Sequence, residues 1–174
     1  SRAVYKLQEI DEKFKIFKNG ISLIDLGAAP GSWSQYAAKK IKNSKILSID
    51  LNEIKKIGNT FQLKGDFTDS KYKSKIKEYF GGKIDVVLSD MAVNTTGNKN
   101  LDSIYTSELC IDAMNFSKEI LCNNGKFISK IFMGSTFNEI VAQAKKIFKE
   151  SKVFKPAASR KDSKESFIIC KFLR

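Results

Sequence analysis

At 174 residues and 42% hydrophobic composition the chain can close one core, and a single domain spanning 1–174 is expected. Lys+Arg 31 against Asp+Glu 19 gives +12 with only Arg2, Arg160 and Arg174 as arginines, a surface that attracts polyanions without dense bidentate base reading, unless its lysines merely solvate the faces. The absence of histidine excludes a His-based triad or zinc site, and no apolar run approaches the roughly 18 residues of a membrane span.

The start, SRAVYKLQEI, is neither a signal peptide nor an initiator-methionine terminus, so the amino end is read as trimmed, with any targeting segment outside it. Val4, Leu7, Ile10, Phe14 and Phe17 fall at helical spacing and predict a helix from 2 to about 14, within an N-terminal extension of residues 1–18. Strands and helices then alternate. Predicted are ISLIDL (21–26), a helix from about Trp33 to Ile41, KILSID (45–50), FQLKGD (61–66), a helix near 70–80 and IDVVLSD (84–90). After the polar loop AVNTTGNKN comes a long helix, about 103–121, with NNG as its stop signal. Strand KFISKIF (126–132), helix 136–149 and two closing strands, KVFK and SFIICKF, complete the chain. Short, nearly continuous apolar strands separated by helices imply a mostly parallel sheet covered on both faces. Cys110, Cys122 and Cys170 lack CxxC spacing and stand among apolar residues, which reads as buried thiols in a reducing compartment.

The first strand breaks into a small-residue loop, LGAAPGSW. It lacks the GK[ST] of a P-loop, and Ala29 followed by Pro30 departs from GxGxxG, so neither phosphate-binding reading holds. Asp25, Asp50, Asp66 and Asp90 close the first four strands, at the carboxyl ends where open α/β sheets bind ligands. Each acid taken singly also fits a capping or solvated role. Four in phase make a negative pocket on a positive chain, which repels a pyrophosphate and favours a ligand with cationic centres, a ribose diol and an amine. S-adenosylmethionine has all of these. In that reading Asp50 takes the ribose hydroxyls, Asp66 the adenine amine, and Gly27, Gly31 and Trp33 shape the methionine end.

SRAVYKL (1–7), DLGAAPGSWSQ (25–35), GDFTD (65–69), LSDMAVNTTG (88–97), ISKIF (128–132) and KPAASRKDSKESF (155–167) follow in an order and spacing that covers essentially the whole chain. In these segments the chain resembles the FtsJ-type family of S-adenosylmethionine-dependent RNA 2'-O-ribose methyltransferases. The resemblance implies a Rossmann-like methyltransferase fold, α/β, with a mostly parallel seven-stranded sheet, helices on both faces and the last strand antiparallel. It places the family's Lys, Asp, Lys, Glu tetrad on Lys6, Asp90, Lys130 and Glu165. It places the donor, with S-adenosylhomocysteine as product, against Asp25, Gly27, Pro30, Gly31, Trp33, Asp50, Asp66 and Asp90. The GSW loop, SDMAxNxTG and the ASRKxSxE ending are most similar to the branch that modifies large-subunit ribosomal RNA, at a uridine. The departures are Val93 at the proline position of SDMAPN, and MGST (133–136) in place of a more polar loop.

Methyl transfer from a sulfonium is an in-line displacement that needs a ribose 2'-hydroxyl aligned and deprotonated, with no metal. Lys130 is the candidate base. An unperturbed lysine is neutral about once in 2,500 at pH 7, a cost of roughly 4.6 kcal/mol. Burial and Lys6 would lower that cost, whereas Asp90 and Glu165 would raise it, and the balance stays open at this level. Ser89 and Ser129 have no histidine partner and receive no nucleophilic role. Arg2, Lys13, Lys155, Arg160 and Lys161, with Lys152 and Lys164, are expected to follow RNA phosphates. Tyr5, Phe132 and Phe137 are candidates for base stacking, with core packing as the competing role. The expected partner is ribosomal RNA in a large subunit or its precursor, met by a monomer. The expected compartment is intracellular: cytoplasmic in a bacterium, with mitochondrial or nuclear sites open in a eukaryote. The alternatives are transfer to a tRNA anticodon loop and a non-catalytic RNA-binding module of the same fold.

Overall fold

The computed structural model describes residues 2–93 and 96–174, so Ser1 and the Asn94 and Thr95 of the SDMAVNTTG segment lie outside the described residues. The elements in chain order are α1 (Arg2–Phe14), β1 (Ser22–Leu26), α2 (Ser32–Lys40), β2 (Lys45–Asp50), β3 (Thr60–Lys64), α3 (Ser70–Phe80) and β4 (Ile84–Ser89). They continue with α4 (Lys99–Ile120), β5 (Leu121–Phe132), α5 (Phe137–Ile147), β6 (Phe148–Phe154) and β7 (Glu165–Leu173). One seven-stranded sheet runs β3-β2-β1-β4-β5-β7-β6, parallel except that β7 is antiparallel to both β5 and β6. The fold is therefore the Rossmann-like sheet expected, with the last strand reversed.

Alternate residues on the central strands divide between two cores because successive strand side chains point to opposite faces. Leu23, Ile46, Val86, Leu88 and Ile128 pack with Leu7 and Ile10 of α1 and Trp33 and Ala37 of α2. Ile24, Leu47, Val87 and Phe127 pack on the other side with Ile76, Phe80, Met114, Phe116 and Ile140, from α3, α4 and α5. Burying both faces explains why these strands read as apolar runs rather than as clean alternation.

The boundaries differ from the sequence reading in instructive places. Helix α4 starts at Lys99 because the Asn98 side chain accepts from Asn100 N and Leu101 N, an Asx cap hidden within a polar loop. NNG (123–125) is not a helix stop. The chain passes from Ile120 straight into β5, and the register shift between Ile84 and Val86 accommodates the extra residues as a bulge. Phe148 ends the last helix early because its ring is buried and stacks on Phe127, which draws 148–154 into the sheet. Cys110 and Cys170 are buried, and Cys122 is partly exposed beside Asp85.

Helix α1 is fixed at both ends. Lys126 Nζ donates to Lys15 O at 2.7 Å and Lys171 Nζ to Phe14 O at 3.5 Å, cations on the carbonyls that the helix leaves free. At its other end Trp33 Nε1 donates to Ala3 O at 2.8 Å. Buried Asp11 accepts from Phe17 N at 2.9 Å and closes the turn out of the helix. These contacts join residues distant in sequence, so periodicity alone could not reveal them.

Candidate active site

Parallel pairing of β4 with β5 sets Ser89 opposite Ser129, so the next residues, Asp90 and Lys130, emerge side by side at the carboxyl end of the sheet. Lys130 Nζ lies 3.2 Å from Asp90 Oδ1 and 3.9 Å from Glu165 Oε2. The other Glu165 oxygen accepts from Lys6 Nζ at 2.6 Å. Antiparallel pairing of β7 with β5 brings Glu165 opposite Phe132, two residues past Lys130. Four groups from α1, β4, β5 and β7 thus form one chain of alternating charge, Lys6–Glu165–Lys130–Asp90. All four are mostly buried: side-chain exposure is 17%, 14%, 13% and 25% in that order. Burial is the main influence raising the pKa of Asp90, with the Glu165 charge adding to it and the Lys130 charge and hydrogen bond opposing.

Asp90 also borders two hollows, whose linings share Gly27 and Ala29 as well. The larger, about 610 Å³, is lined by Gly27, Asp50, Asp66, Met91 and Asp112 among others. The smaller, about 80 Å³, lies between Asp25, Gly27, Pro30, Trp33 and Asp90. Gly27 has φ +70°, and a Cβ there would collide with the Met91 side chain, so only glycine allows the loop this approach. Gly31 lies elsewhere. It borders a separate hollow of about 450 Å³ with Lys39, Lys55 and Lys56, and at φ +123° it packs under Ile54 and Ile57. Its place is to turn the loop into α2, and it lines neither acid-bordered hollow.

The acids divide by environment. Asp50 is doubly engaged, accepting from Ala29 N at 3.0 Å and Asn52 N at 2.8 Å, so it fastens the glycine loop to the end of β2. One Asp66 oxygen accepts from Thr68 N and Thr68 Oγ1 and closes the turn after β3, while the cap of α3 is Asp69, whose side chain accepts from Lys71 N. Asp25 is buried; its Oδ2 accepts from Ser34 Oγ at 2.6 Å, while Oδ1 has no hydrogen-bond partner. Burial, reinforced by the charges of Asp90 and Asp50 and countered by Ser34, pushes the Asp25 carboxyl from 3.8 to about 7. An orphaned carboxylate oxygen at the wall of an acid-lined hollow fits a cationic ligand.

That shift has a measurable sign. A carboxyl whose folded pKa exceeds its unfolded one holds its proton more tightly when folded, so the stability it contributes is present in acid and lost as pH rises from about 4 to 7. Asp25→Asn is neutral at every pH and is expected to gain on the wild type across that range, by about 4 kcal/mol at most. Urea unfolding of both proteins at pH 4 and pH 8 checks this, and a stability difference independent of pH would refute it.

Every proposed phosphate contact, Arg2, Lys13, Lys152, Lys155, Arg160, Lys161 and Lys164, is exposed. Lys13 Nζ lies over the Phe154 ring at 4.8 Å, which brings α1 beside the start of the 155–164 loop. Lys155 Nζ donates to Ser163 O within that loop. Tyr5 is 62% exposed, so core packing does not account for it; Phe132 is half-buried and Phe137 packs against the larger core. Three participants were missed by reading the sequence. Ser34 bridges Asp25 and Ser48, Asp112 borders the larger hollow, and Glu9 accepts from Ala157 N and Ala158 N. Glu9 alone had a signal, one helical turn beyond Lys6 on the same stripe.

A sheet of this order, with an acid-bordered cleft at the carboxyl ends of its parallel strands, defines the Rossmann-like methyltransferase class. A Streptococcus mutans methyltransferase solved in complex with SAH has the same fold, with a TM-score of 0.61 over 99% of this chain and 94% of that one at 11% identity. The FtsJ-like methyltransferase model matches residues 1–173, and the chain belongs to that family. It is 66% identical over its whole length to a Pelagibacter ubique protein named ribosomal RNA large subunit methyltransferase E, covering 86% of that protein. A crystal structure of a Plasmodium falciparum protein named as a ribosomal RNA methyltransferase superposes with a TM-score of 0.88 at 31% identity, over 99% of this chain and 97% of that one.

Proposed function

We propose that this chain methylates a ribose 2'-hydroxyl of large-subunit ribosomal RNA, using S-adenosylmethionine and acting as a monomer on the subunit or its precursor. The observation that carries this reading is the unbroken Lys6–Glu165–Lys130–Asp90 chain, whose last member borders both hollows. The name of the 66% identical relative supports the substrate, and its bacterial source supports a cytoplasmic setting.

When bound, S-adenosylmethionine supplies a methyl group already activated on a sulfonium. Asp25, Gly27, Pro30, Trp33 and Asp90 would hold its charged amino-acid end, and Asp50 and Asp66 its nucleoside. Lys130, once its Nζ is the neutral amine, accepts the 2'-hydroxyl proton, and Asp90 and Glu165 stabilise the ammonium that results. Lys6 occupies the second oxygen of Glu165 and keeps that carboxylate turned toward Lys130. The cations of α1 and the 155–164 loop, Arg2, Lys13, Lys155, Arg160 and Lys161, draw the RNA backbone to the same edge.

Incubation with labelled methyl donor, total RNA and ribosomal subunits, followed by mapping of the modified ribose, tests the reading. A single 2'-O-methyl in large-subunit RNA is expected. Label in tRNA alone would replace the substrate assignment, and no label in any RNA would remove the function. Asp50→Ala is expected to weaken donor binding about 10- to 100-fold, the loss of one or two hydrogen bonds to a charged group. Calorimetry showing unchanged affinity would contradict its place at the nucleoside.

A further inference from the structure

The loop between β6 and β7 carries Lys155, Arg160, Lys161 and Lys164 and delivers Glu165 to the site. Two side chains one turn apart on α1 hold its two ends. Lys6 takes Glu165 at the end of the loop, and Glu9 takes its beginning, accepting from Ala157 N at 2.8 Å on Oε1 and from Ala158 N at 2.9 Å on Oε2. A carboxylate receiving two consecutive amides, one on each oxygen, permits a single orientation of the backbone it holds. The remaining hydrogen bonds of the loop are internal or act at its far end: Ser159 N to Pro156 O, Ser163 N to Arg160 O, Lys155 Nζ to Ser163 O, Glu165 N to Ser163 Oγ, and Met133 N to Lys164 O. Among the described residues, Glu9 supplies the hydrogen bonds that join residues 156–162 to α1.

We propose that Glu9 is a positioning residue: clamping the loop to α1, it fixes the placement at which Glu165 reaches both Lys6 and Lys130, and so sets the rate of methyl transfer without touching substrate. Its effect on rate rests on the tetrad being the reaction centre, whereas the clamp does not. Helix α1 is tied down independently at both ends, so loss of Glu9 frees the loop and leaves the helix in place.

The test compares Glu9→Ala and Glu9→Gln with the wild type in two assays. In limited trypsin digestion of the folded proteins, Glu9→Ala is expected to be cut about tenfold faster after Arg160, Lys161 and Lys164. In methyl transfer to large-subunit RNA its turnover is expected to fall by a similar factor, with the KM for RNA unchanged because the loop cations remain. Glu9→Gln keeps one carbonyl acceptor and is expected to recover part of both losses, and as a near-isosteric change it decides the matter if the alanine variant does not fold. Wild-type trypsin resistance in both variants would overturn the clamp. Rapid cleavage with unaltered turnover, or a rise in KM alone, would overturn the positioning role. A wild-type protein that methylates no RNA would refute the function itself, and the trypsin comparison would still decide the clamp.

Discussion

Lys130→Ala is expected to reduce methyl transfer by about 10²- to 10⁴-fold, the span that a positioned general base contributes. The side chain lies mostly buried between two carboxylates, and its place in β5 is held by backbone pairing opposite Phe167, so the sheet should still form without it. Donor affinity, read by calorimetry, should stay close to wild type because Lys130 borders neither hollow. Lys130→Arg separates two roles. Arginine keeps the charge between Asp90 and Glu165 but cannot give up its proton, so a base at this position is lost in both variants. If arginine sustained turnover, Lys130 would be an electrostatic holder and the proton would have another acceptor. Retained turnover in alanine would remove it from the chemistry altogether.

Trp33→Ala is expected to destabilise the fold by about 3–5 kcal/mol, the usual cost of emptying a large aromatic site. Trp33 is 2% exposed, its ring lies 5.8 Å from that of Phe167, and its indole N–H is spent on Ala3 O. It therefore ties α1, the glycine loop and β7 together at the edge of the smaller hollow. The melting temperature should drop by about 10 °C or more for a domain of this length. Trp33→Phe keeps most of the packing, forfeits only the N–H donor and should lose much less. A melting point for the alanine variant matching the wild type would show that the ring does not hold these elements.

The parallel sheet was legible because its strands are buried on both faces and therefore stand out as apolar runs between helical segments. The four carboxylates were legible because strand ends of an open α/β sheet share one edge, so Asp25, Asp50, Asp66 and Asp90 could be placed together from spacing alone. Residues that act through the backbone of a distant segment were hidden. Asn98 resembled any loop asparagine until its oxygen met Asn100 N and Leu101 N, and NNG resembled a helix stop until pairing with β4 absorbed it as a bulge. Gly31 and Gly27 are four residues apart in one loop, yet they border different hollows, because the loop reverses between them.

By itself the sequence determined the alternation of elements, the burial of the strands and the residue types at the mouth of the sheet, since these follow from periodicity and from where a strand must end. Only the tertiary structure decided that Lys6, Glu165, Lys130 and Asp90 link at 2.6, 3.9 and 3.2 Å, that Asp25 is left with an orphaned oxygen, and that Glu9 grips the loop. Such contacts span up to 159 residues of chain. Their geometry is set by strand register and helix docking, which are collective results of packing and are written in no local stretch of residues.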